Sequence, residues 1–343
     1  MVETMPVGTL TLIEVVAYAL IAAAISFGAT FLVMPRFIRY LVAHGRTVQD
    51  YHKKSKPLVP RPAGPVLMLA VGLSEAFIFA VTSNTTVLAI LLSTTIAFLV
   101  GYVDDRRVMP GWFKPVALLA AAIPMIVLQA HGDDLNLIFG HAFIPLLYIP
   151  LILVIIPITG NTINSIDVLN GVASGFVIIA SIPLLVSIAL FGNTVVLVAA
   201  VPLLAVSIAF YKYHKFPSKI FPGDSGTLLL GVLYGALAIA GKSEIIGVIA
   251  LLPAVMNSFL FLASVKKVVE HREVERPTML LEDYRLAATK SKNAPATLVR
   301  LILADGPLDE KTIGRKIFGL AAFSSGLAFI SIVLQSIFVG VSN

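Results

Sequence analysis

VASGFVIIASIPLLVSIALFGNTVVLVAAVPLLAVSIAF, residues 172–210, contains no charged side chain and is long enough to form two membrane-crossing helices. A helix needs about 20 apolar residues to cross the roughly 30 Å hydrocarbon core of a bilayer. The whole chain of 343 residues has the same character, with 58% hydrophobic and 13% charged residues and a mean hydropathy of +0.94. A soluble domain of this size needs a more polar surface, so the sequence predicts an integral membrane protein.

Ten apolar stretches of this kind follow one another along the chain. They lie near residues 10–35, 63–82, 86–103, 113–130, 142–160, 171–191, 194–211, 224–240, 243–265 and 316–340. None shows the alternating pattern of a membrane barrel, so we predict an all-α polytopic protein with about ten transmembrane helices. We expect a single integral-membrane domain over residues 1–343. Residues 266–316 mix charges with Leu and Ile at helical spacing, which predicts a small subdomain packed against the inner face.

The basic residues set the orientation of these spans. With the N-terminus outside, the inner loops are 36–62, 104–114, 161–170, 211–223 and 266–316. They carry 7, 3, 0, 3 and 11 Lys and Arg residues, which is 24 of the chain's 25, while Lys242 lies outside. Because Lys and Arg are retained on the cytoplasmic side of membranes, the sequence predicts cytoplasmic inner loops and places both termini outside.

Composition narrows the class of function. The net charge of +6 and the pI near 9.4 follow from this topology. They indicate affinity for the anionic surface of the lipid bilayer or for a phosphorylated substrate, and they give no reason to expect nucleic acid as a partner. The chain has no cysteine, which excludes thiol chemistry, disulfides and cysteine-ligated zinc. Its six His residues are scattered and form no HExxH zinc motif.

Four inner-face segments carry residues that a lipid-facing helix would avoid, and the first is GYVDDRRVMPGWFK, residues 101–114. Its adjacent Asp104 and Asp105 stand at the inner end of the third span, where an ionised carboxylate costs less than at the bilayer centre. Such a pair suits binding of a divalent cation, or a carboxylate base beside a metal. A simply solvated helix end explains the pattern about equally well.

The second segment is GNTINSIDVLNG, residues 160–171, an inner loop without any basic residue. It offers Asn161, Asn164, Asp167 and Asn170, and a helical conformation would bring amides spaced by three and six residues to one face. Asn and Asp are also ordinary turn formers. Four of them within ten residues, between two apolar spans, favour recognition of a base edge together with one metal ligand.

The third segment is YKYHKFPSKIFPGDSG, residues 211–226. Asp224 would open the eighth span, where the helix dipole favours a carboxylate, and it can equally ligate magnesium. Helix capping alone explains Asp224 about as well as a functional role does. Phe221 could offer a flat face to a nucleobase.

The fourth segment is VEHREVERP, residues 269–277, which follows the ninth span. Three of its side chains could bind a diphosphate or a sugar, namely His271, Arg272 and Arg276. From this stretch alone, a solvated run of charges is the simpler explanation.

Taken in this order and at these span ends, the four segments resemble those of the polyprenyl-phosphate N-acetylhexosamine-1-phosphate transferase superfamily. The ordered set DD, NxxNxxDxxNG, FxGDS and HR is specific as a set, and with the ten spans the resemblance covers essentially the whole chain. PSKIFPGDSG and NTINSIDVLNG look most like the archaeal-type branch that starts N-glycan lipid precursors on dolichyl phosphate. The resemblance implies transfer of N-acetylglucosamine-1-phosphate (GlcNAc-1-phosphate) from UDP-GlcNAc to a polyprenyl or dolichyl phosphate. It also implies release of UMP and a requirement for Mg²⁺, or Mn²⁺ in its place.

The resemblance further assigns expected roles to individual residues. Asp104 and Asp105 match the acidic pair to which the proton-taking role is usually assigned. Lys114 matches a position around the diphosphate and is counted with them as catalytic, while Asn164 and Asp224 match the positions that hold magnesium. The expected substrate contacts are Asp50 and Lys53 near the lipid phosphate, Asn161 in the second segment, Asn170 and Phe221 at the uracil, and His271 and Arg272 around the diphosphate and sugar.

The sequence departs from the superfamily pattern at two points, and it leaves two alternative functions open. Many bacterial members have a third acidic residue where this chain has Val108. The HR segment lacks the multiple histidines of the peptidoglycan branch, which argues against a UDP-muramyl-pentapeptide donor. The same fold could instead prime a cell-wall or O-antigen glycan with another UDP-sugar, and a homodimer is one option for its assembly. A transporter or lipid flippase is the rival of a different class, but its polar residues would lie near the bilayer midplane.

Overall fold

The chain is a helical bundle, as the sequence predicts. The computed structural model describes residues 10–53, 55–107, 109–265 and 274–340. Within these residues it contains twelve helices and three two-stranded antiparallel sheets of three or four residues per strand. The prediction of an all-α polytopic membrane protein is therefore confirmed.

Nine helices in the described ranges are long and apolar enough to cross a membrane. They are α1 (Leu12–Ala43), α2 (Gly64–Thr82), α3 (Thr85–Arg106), α6 (Pro145–Ile166), α7 (Val172–Phe191), α8 (Thr194–His214), α9 (Gly223–Ala240), α10 (Glu244–Val265) and α12 (Glu310–Phe338). The fourth predicted span is shorter than expected and consists of α4 (Phe113–Ala117) and α5 (Leu119–Val127), joined at Leu118. At 1.5 Å per residue the two together extend only about 22 Å.

Short polar residues begin several of these helices by accepting hydrogen bonds from otherwise unpaired backbone N–H groups. Asn84 caps α3 by accepting from the backbone N–H of Thr86 at 2.9 Å, and Asn193 caps α8 by accepting from Val196 at 2.8 Å. Such caps contribute about 1 kcal/mol each. They fix where the chain turns back into the bilayer after α2 and α7.

The helix ends alternate between two faces of the bundle. One face, which the sequence predicts to be the outer one, brings together the starts of α1 and α8, where the Leu10 N–H donates to Thr194 Oγ1 at 3.3 Å. It also carries the hairpin of β3 (Asp134–Leu137) and β4 (Gly140–Phe143), and Asp134 pairs there with Lys242 at 3.1 Å. The hairpin residue Phe139 contacts Phe338 at the end of α12. With α4 and α5 as one crossing, the described chain passes between the faces ten times.

Helix α9 forms the centre of the bundle, because every residue in it except Asp224 and Ala240 is buried. Glycines allow its neighbours to approach closely. A Cβ atom on Gly231 would lie 2.4 Å from the Thr159 carbonyl oxygen of α6, and one on Gly101 of α3 would lie 2.5 Å from the Asp224 backbone. These approaches hold the first turn of α9 against the inner end of α3.

Two small sheets lie on the inner face. Between α1 and α2, β1 (Thr47–Gln49) pairs with β2 (Leu58–Pro60). Between α10 and α12, β5 (Thr278–Leu280) pairs with β6 (Leu286–Ala288). The first sheet leads directly into Arg61 and so determines where that side chain enters the bundle.

The described part of residues 266–316 contains the second sheet and the short helix α11 (Leu298–Ile302). The helical spacing noted in the sequence thus gives only one short helix before α12, and hydrogen bonds from Arg300 order the loop ahead of it. The Arg300 guanidinium donates to the backbone carbonyls of Thr289, Ser291, Ala294 and Pro295. This loop is thereby held beside the inner end of α10.

Candidate active site

Five charged side chains meet at the inner ends of α3, α4 and α9, and we call them the charge cluster: Arg61, Asp104, Asp105, Lys114 and Asp224. One carboxylate oxygen of Asp224 lies 2.8 Å from the Arg61 guanidinium, and the other lies 3.3 Å from Lys114 Nζ. Lys114 Nζ also lies 3.1 Å from Asp104, and the Arg61 guanidinium lies 3.0 Å from Asp105. The predicted acidic pair and the predicted metal ligand Asp224 are thus brought together.

The two members of the acidic pair have different surroundings. Asp105 accepts hydrogen bonds from the backbone N–H groups of Asp224 and Ser225, both at 2.9 Å, and from Ser225 Oγ at 2.6 Å. Its side chain is 1% exposed, so it caps the N-terminus of α9 from a neighbouring helix. Asp104 accepts from the Met109 N–H at 3.2 Å and pairs with Lys114. Asp104 therefore accepts fewer hydrogen bonds within the protein than Asp105 does.

The charge cluster borders a cleft of about 850 Å³ at the inner face, within the size range of sites for small molecules and cofactors. Six predicted site residues line it, namely Asp50, Lys114, Asn164, Asn170, Phe221 and Asp224. Arg61, Asp167, His214, Asn257 and Arg276 also line it. All four inner-face segments of the sequence therefore contribute to one cavity, together with the first inner loop.

Asn170 forms hydrogen bonds to three other parts of the chain: the first inner loop, the loop before α9 and the start of α12. Its amide oxygen accepts from Lys53 Nζ at 2.9 Å and from the Ser218 N–H at 2.6 Å, and its amide nitrogen donates to Asp50 at 3.1 Å. Its backbone N–H donates to Glu310 at the start of α12 at 2.9 Å. Most of its hydrogen-bonding capacity is thus used within the protein, and one amide N–H remains for the expected contact with a base.

Asp50 and Lys53 form an ion pair beside Asn170. Burial raises the pKa of Asp50, but hydrogen bonds from Lys53 and Asn170 outweigh it and hold the pKa below its usual range. Asp50, His52 and Glu310 each offer one ligand atom, and these atoms lie within 4.8 Å of one another, as a metal site requires. His52 would supply a nitrogen ligand there, which a hard cation such as Mg²⁺ favours less than oxygen ligands.

The donor atoms around Asp224 fit a hard divalent cation better. Asn164 and Asp167 line the same cleft as Asp224 and offer amide and carboxylate oxygens, the ligands that Mg²⁺ prefers. The Asn164 amide oxygen accepts from Thr227 Oγ1 at 3.0 Å, which holds it toward α9. Burial raises the pKa of Asp167 to about 7, and the nearby Asp224 and Asp105 add to the effect against the opposing charge of Arg61. A bound cation would relieve this excess of negative charge.

The other six predicted site residues are not among those that line the cleft within the described chain. Lys53, Asp104 and Asp105 instead contact residues that do line it, namely Asp50, Lys114 and Asp224. The Asn161 amide donates to the Pro157 carbonyl of its own helix at 2.8 Å, and Asn161 is not among the residues lining the cleft within the described chain. His271 and Arg272 lie outside the described residues. Their neighbour Arg276 does line the cleft, with its guanidinium 4.7 Å from the centre of the Tyr51 ring.

Arg61 is a site residue that the sequence did not single out, whereas Asn257 was expected, together with Pro253, to bend the ninth span and open a groove. Arg61 is one of seven basic residues in its loop, and nothing in the sequence connects it with Asp224, 163 positions later. Asn257 of α10 donates to the Ser165 carbonyl at 3.0 Å and accepts from the Leu298 N–H at 2.8 Å. It therefore ties α6 and α11 together across one side of the cleft.

The sequence profile of glycosyl transferase family 4 matches residues 87–242. The match runs from the first turn of α3 to just beyond α9 and includes every member of the charge cluster except Arg61. The chain is similar to this family over a little less than half of its length. This match and the relatives described next confirm the resemblance found in the sequence, which is to membrane-embedded phospho-sugar transferases.

Relatives within the same superfamily extend the similarity over most of the chain. A protein of Methanocaldococcus jannaschii, provisionally named a glycosyltransferase, is 29% identical over 87% of this chain and 90% of its own length. A protein of Saccharolobus solfataricus is 26% identical over 92% of this chain and 97% of its own length. It is provisionally named UDP-N-acetylglucosamine–dolichyl-phosphate N-acetylglucosaminephosphotransferase. A phospho-N-acetylmuramoyl-pentapeptide-transferase of Streptococcus suis is 29% identical over 66% of this chain and 74% of its own length.

Proposed function

We propose that this protein transfers GlcNAc-1-phosphate from UDP-GlcNAc to a dolichyl-type polyprenyl phosphate at the cytoplasmic membrane face. In this reaction an acceptor phosphate oxygen bonds to the donor's β-phosphorus. The bond from that phosphorus to the bridging oxygen breaks, and UMP leaves with the bridging oxygen. The observation that carries the proposal is the charge cluster bordering a cleft at the inner ends of the spans. A water-soluble donor and a lipid-borne acceptor can meet there.

The donor would be held by cations and by one aromatic ring. Arg61, Lys114 and Arg276 line the cleft and can neutralise the two phosphates, and the Arg guanidinium suits bidentate binding of phosphate oxygens. Phe221 lines the same cleft and can stack on the uracil. Orientation of the diphosphate among fixed charges is the main source of rate in phosphoryl transfer.

The acceptor phosphate would be positioned by Asp104 and Lys114. Lys114 attracts the phosphate, while Asp104 keeps it ionised or takes its proton. Asp105 would act indirectly, because its oxygens hold the first turn of α9 and with it Asp224. We favour direct displacement by the acceptor over a covalent intermediate on an aspartate.

Asn164, Asp167 and Asp224 would hold a divalent cation, Mg²⁺ or Mn²⁺, since their oxygen donors share the cleft. When bound, this cation neutralises the diphosphate and stabilises the departing UMP. Asp224 holds Arg61 and Lys114 in place, so the same carboxylate would organise both the protein cations and the metal.

The cytoplasmic orientation rests on the basic residues, 24 of which fall in the predicted inner loops and one in a predicted outer loop. Single cysteines test it, because the chain has none of its own. Arg46→Cys and Lys290→Cys should react with impermeant maleimide only after the membrane is opened, and Lys242→Cys should react in intact cells. Reaction of the Lys290→Cys variant in intact cells would place the cleft outside and contradict the proposal.

The choice of GlcNAc rests on the HR segment and on the Saccharolobus solfataricus relative, whose similarity spans nearly the whole chain. The test is a donor panel with protein in lipid nanodiscs, dolichyl or undecaprenyl phosphate, and Mg²⁺. UDP-GlcNAc should give UMP and a diphosphate-linked lipid at the highest kcat/KM among UDP-GlcNAc, UDP-GalNAc, UDP-glucose and UDP-MurNAc-pentapeptide. Preference for the pentapeptide donor, or release of UDP in place of UMP, would refute the assignment.

A further inference from the structure

His214, the last residue of α8, is a buried group to which the mechanism above gives no role. It is 1% exposed, its ring stacks on Phe210 with centroids 5.0 Å apart, and it lines the cleft. Its Nε2 lies 3.5 Å from Asp167 Oδ1. Among the described residues, this nitrogen makes no hydrogen bond. A buried polar atom without a partner is costly, so a nitrogen directed at a carboxylate in the cleft calls for a function.

Ser174 in the first turn of α7 determines which ring nitrogen carries the proton. Its Oγ lies 2.9 Å from His214 Nδ1 and 3.4 Å from the Gly171 carbonyl oxygen. Donation by the hydroxyl to Nδ1 is the arrangement that also gives Nε2 a partner, because an Nε2–H group faces the Asp167 carboxylate. A neutral imidazole has one N–H group, so this bond leaves the proton on Nε2, the nitrogen that faces Asp167.

We propose that His214 is a positioning residue for Asp167. As the Nε2–H tautomer it donates to Asp167 Oδ1, which leaves the second carboxylate oxygen to serve the cation-binding group of Asn164, Asp167 and Asp224. The distance of 3.5 Å is long for a hydrogen bond, and such contacts commonly tighten when substrate binds. The inference rests on the proposed function, because it assigns Asp167 to the metal-dependent transfer.

The hydrogen-bond chain from Ser174 through His214 to Asp167 resembles the outer contacts that orient metal ligands in proteins. Loss of such a contact typically weakens metal affinity or activity by about 10–100-fold. His214→Phe keeps the ring and its stacking on Phe210 but removes both nitrogens. His214→Gln loses the ring but places an amide N–H near the position of Nε2. Comparison of these two variants distinguishes the effect of the hydrogen bond from the effect of ring packing.

Metal affinity gives the first test. We expect His214→Phe to raise the half-saturating Mn²⁺ concentration about 10–100-fold, measured by electron paramagnetic resonance without substrate. In turnover assays the Mg²⁺ requirement should rise and the lipid KM should stay constant. His214→Gln should recover most of the loss and Ser174→Ala should show an intermediate loss. The control Ser181→Ala, whose hydroxyl bonds only its own helix at Val177, should behave as wild type. Equal impairment of the Phe and Gln variants would overturn the proposal.

The tautomer gives a second test that does not require an active enzyme. In ¹⁵N-histidine spectra of the protein in nanodiscs, the signal that disappears in His214→Gln should be that of a neutral imidazole protonated at Nε2. Ser174→Ala should shift it toward a mixture of tautomers. A signal from Nδ1–H, or no response to Ser174→Ala, would refute the inference. If the wild-type protein turned over no donor, the proposed function would be wrong. The Mn²⁺ and tautomer measurements would still show whether His214 positions Asp167.

Discussion

Replacing Asp105 by Asn is expected to destabilise the whole bundle as well as the site. The carboxylate accepts hydrogen bonds from the N–H groups of Asp224 and Ser225 and from Ser225 Oγ, and it pairs with Arg61. An amide has a single acceptor oxygen, so Asn must turn its NH₂ group toward at least one of these donors. The first turn of α9, the most buried helix, would then lose its cap.

The magnitude follows from these contacts. Removing one partner of a buried ion pair costs about 3–5 kcal/mol. Arg61 keeps Asp224 as its second partner, so we expect about 3 kcal/mol for Asp105→Asn, at the lower end of that range. Ser225→Ala removes one hydrogen bond to a charged acceptor and should cost about 1.5 kcal/mol. Asp104→Asn should cost least, because the amide oxygen can still accept from the Met109 N–H and Lys114 retains Asp224. Its turnover should fall about a hundredfold.

The assay is the midpoint of thermal unfolding, followed by fluorescence-detected chromatography of each purified variant in the same detergent. The expected order of stability is wild type, Asp104→Asn, Ser225→Ala and Asp105→Asn, from highest to lowest. Activity in nanodiscs at a temperature where all four are folded gives the second measurement. If Asp105→Asn were as stable as Asp104→Asn, the capping role of Asp105 and the distinction between the two aspartates would both be wrong.

Three further predictions concern the metal, the nucleotide and acid stability. Asp224→Asn keeps the size of the side chain but loses its charge, and Arg61 and Lys114 keep Asp105 and Asp104 as partners. We therefore expect normal expression, about a hundredfold lower turnover and little rescue by added Mg²⁺; wild-type UMP release would exclude the metal role. Phe221→Ala should weaken inhibition by UMP by about 1–3 kcal/mol and leave the lipid KM unchanged, and unaltered inhibition would remove Phe221 from the nucleotide site. The pKa of Asp50 is held below its usual range, so the ionised Asp50 side chain stabilises the folded protein. This stabilisation is fully present above the pKa of about 3.9 that Asp50 has in the unfolded chain, and it is lost as the pH falls through the lower pKa of the folded state. Lys53→Met should therefore reduce the loss of thermal stability between pH 5 and pH 3. The same loss in the variant as in the wild type would contradict this reasoning.

The spans and most of the site could be predicted because they depend on local composition. Apolar runs of fixed length predict helices, and polar residues at their ends predict the face at which chemistry occurs. Asp104, Asn164 and Asp224 were found in this way, since each interrupts an otherwise apolar end of a span. The order of the four inner-face segments along the chain then indicated the resemblance to the transferase superfamily.

The remaining features depend on contacts between distant segments. Arg61 reaches Asp224 across 163 positions, and no local pattern separates it from the other six basic residues of its loop. Asp104 and Asp105 are adjacent, but successive side chains of a helix point about 100° apart, so one meets Lys114 and the other meets α9. His214 similarly depends on Ser174, which belongs to another helix.

The burial of α9 protects the site from changes in bilayer thickness. Only five of the 32 residues of α1 are buried, so the acyl chains of the lipids act mainly on peripheral helices of this kind. Helices exposed to lipid accommodate mismatch in length by tilting, at a modest cost per ångström. Helix α9 is held at its first turn by Asp105 and further along by the close approach of Gly231 to Thr159. Asp224 can therefore keep its depth while the outer helices tilt, and the same enzyme can work in membranes whose lipids differ in chain length.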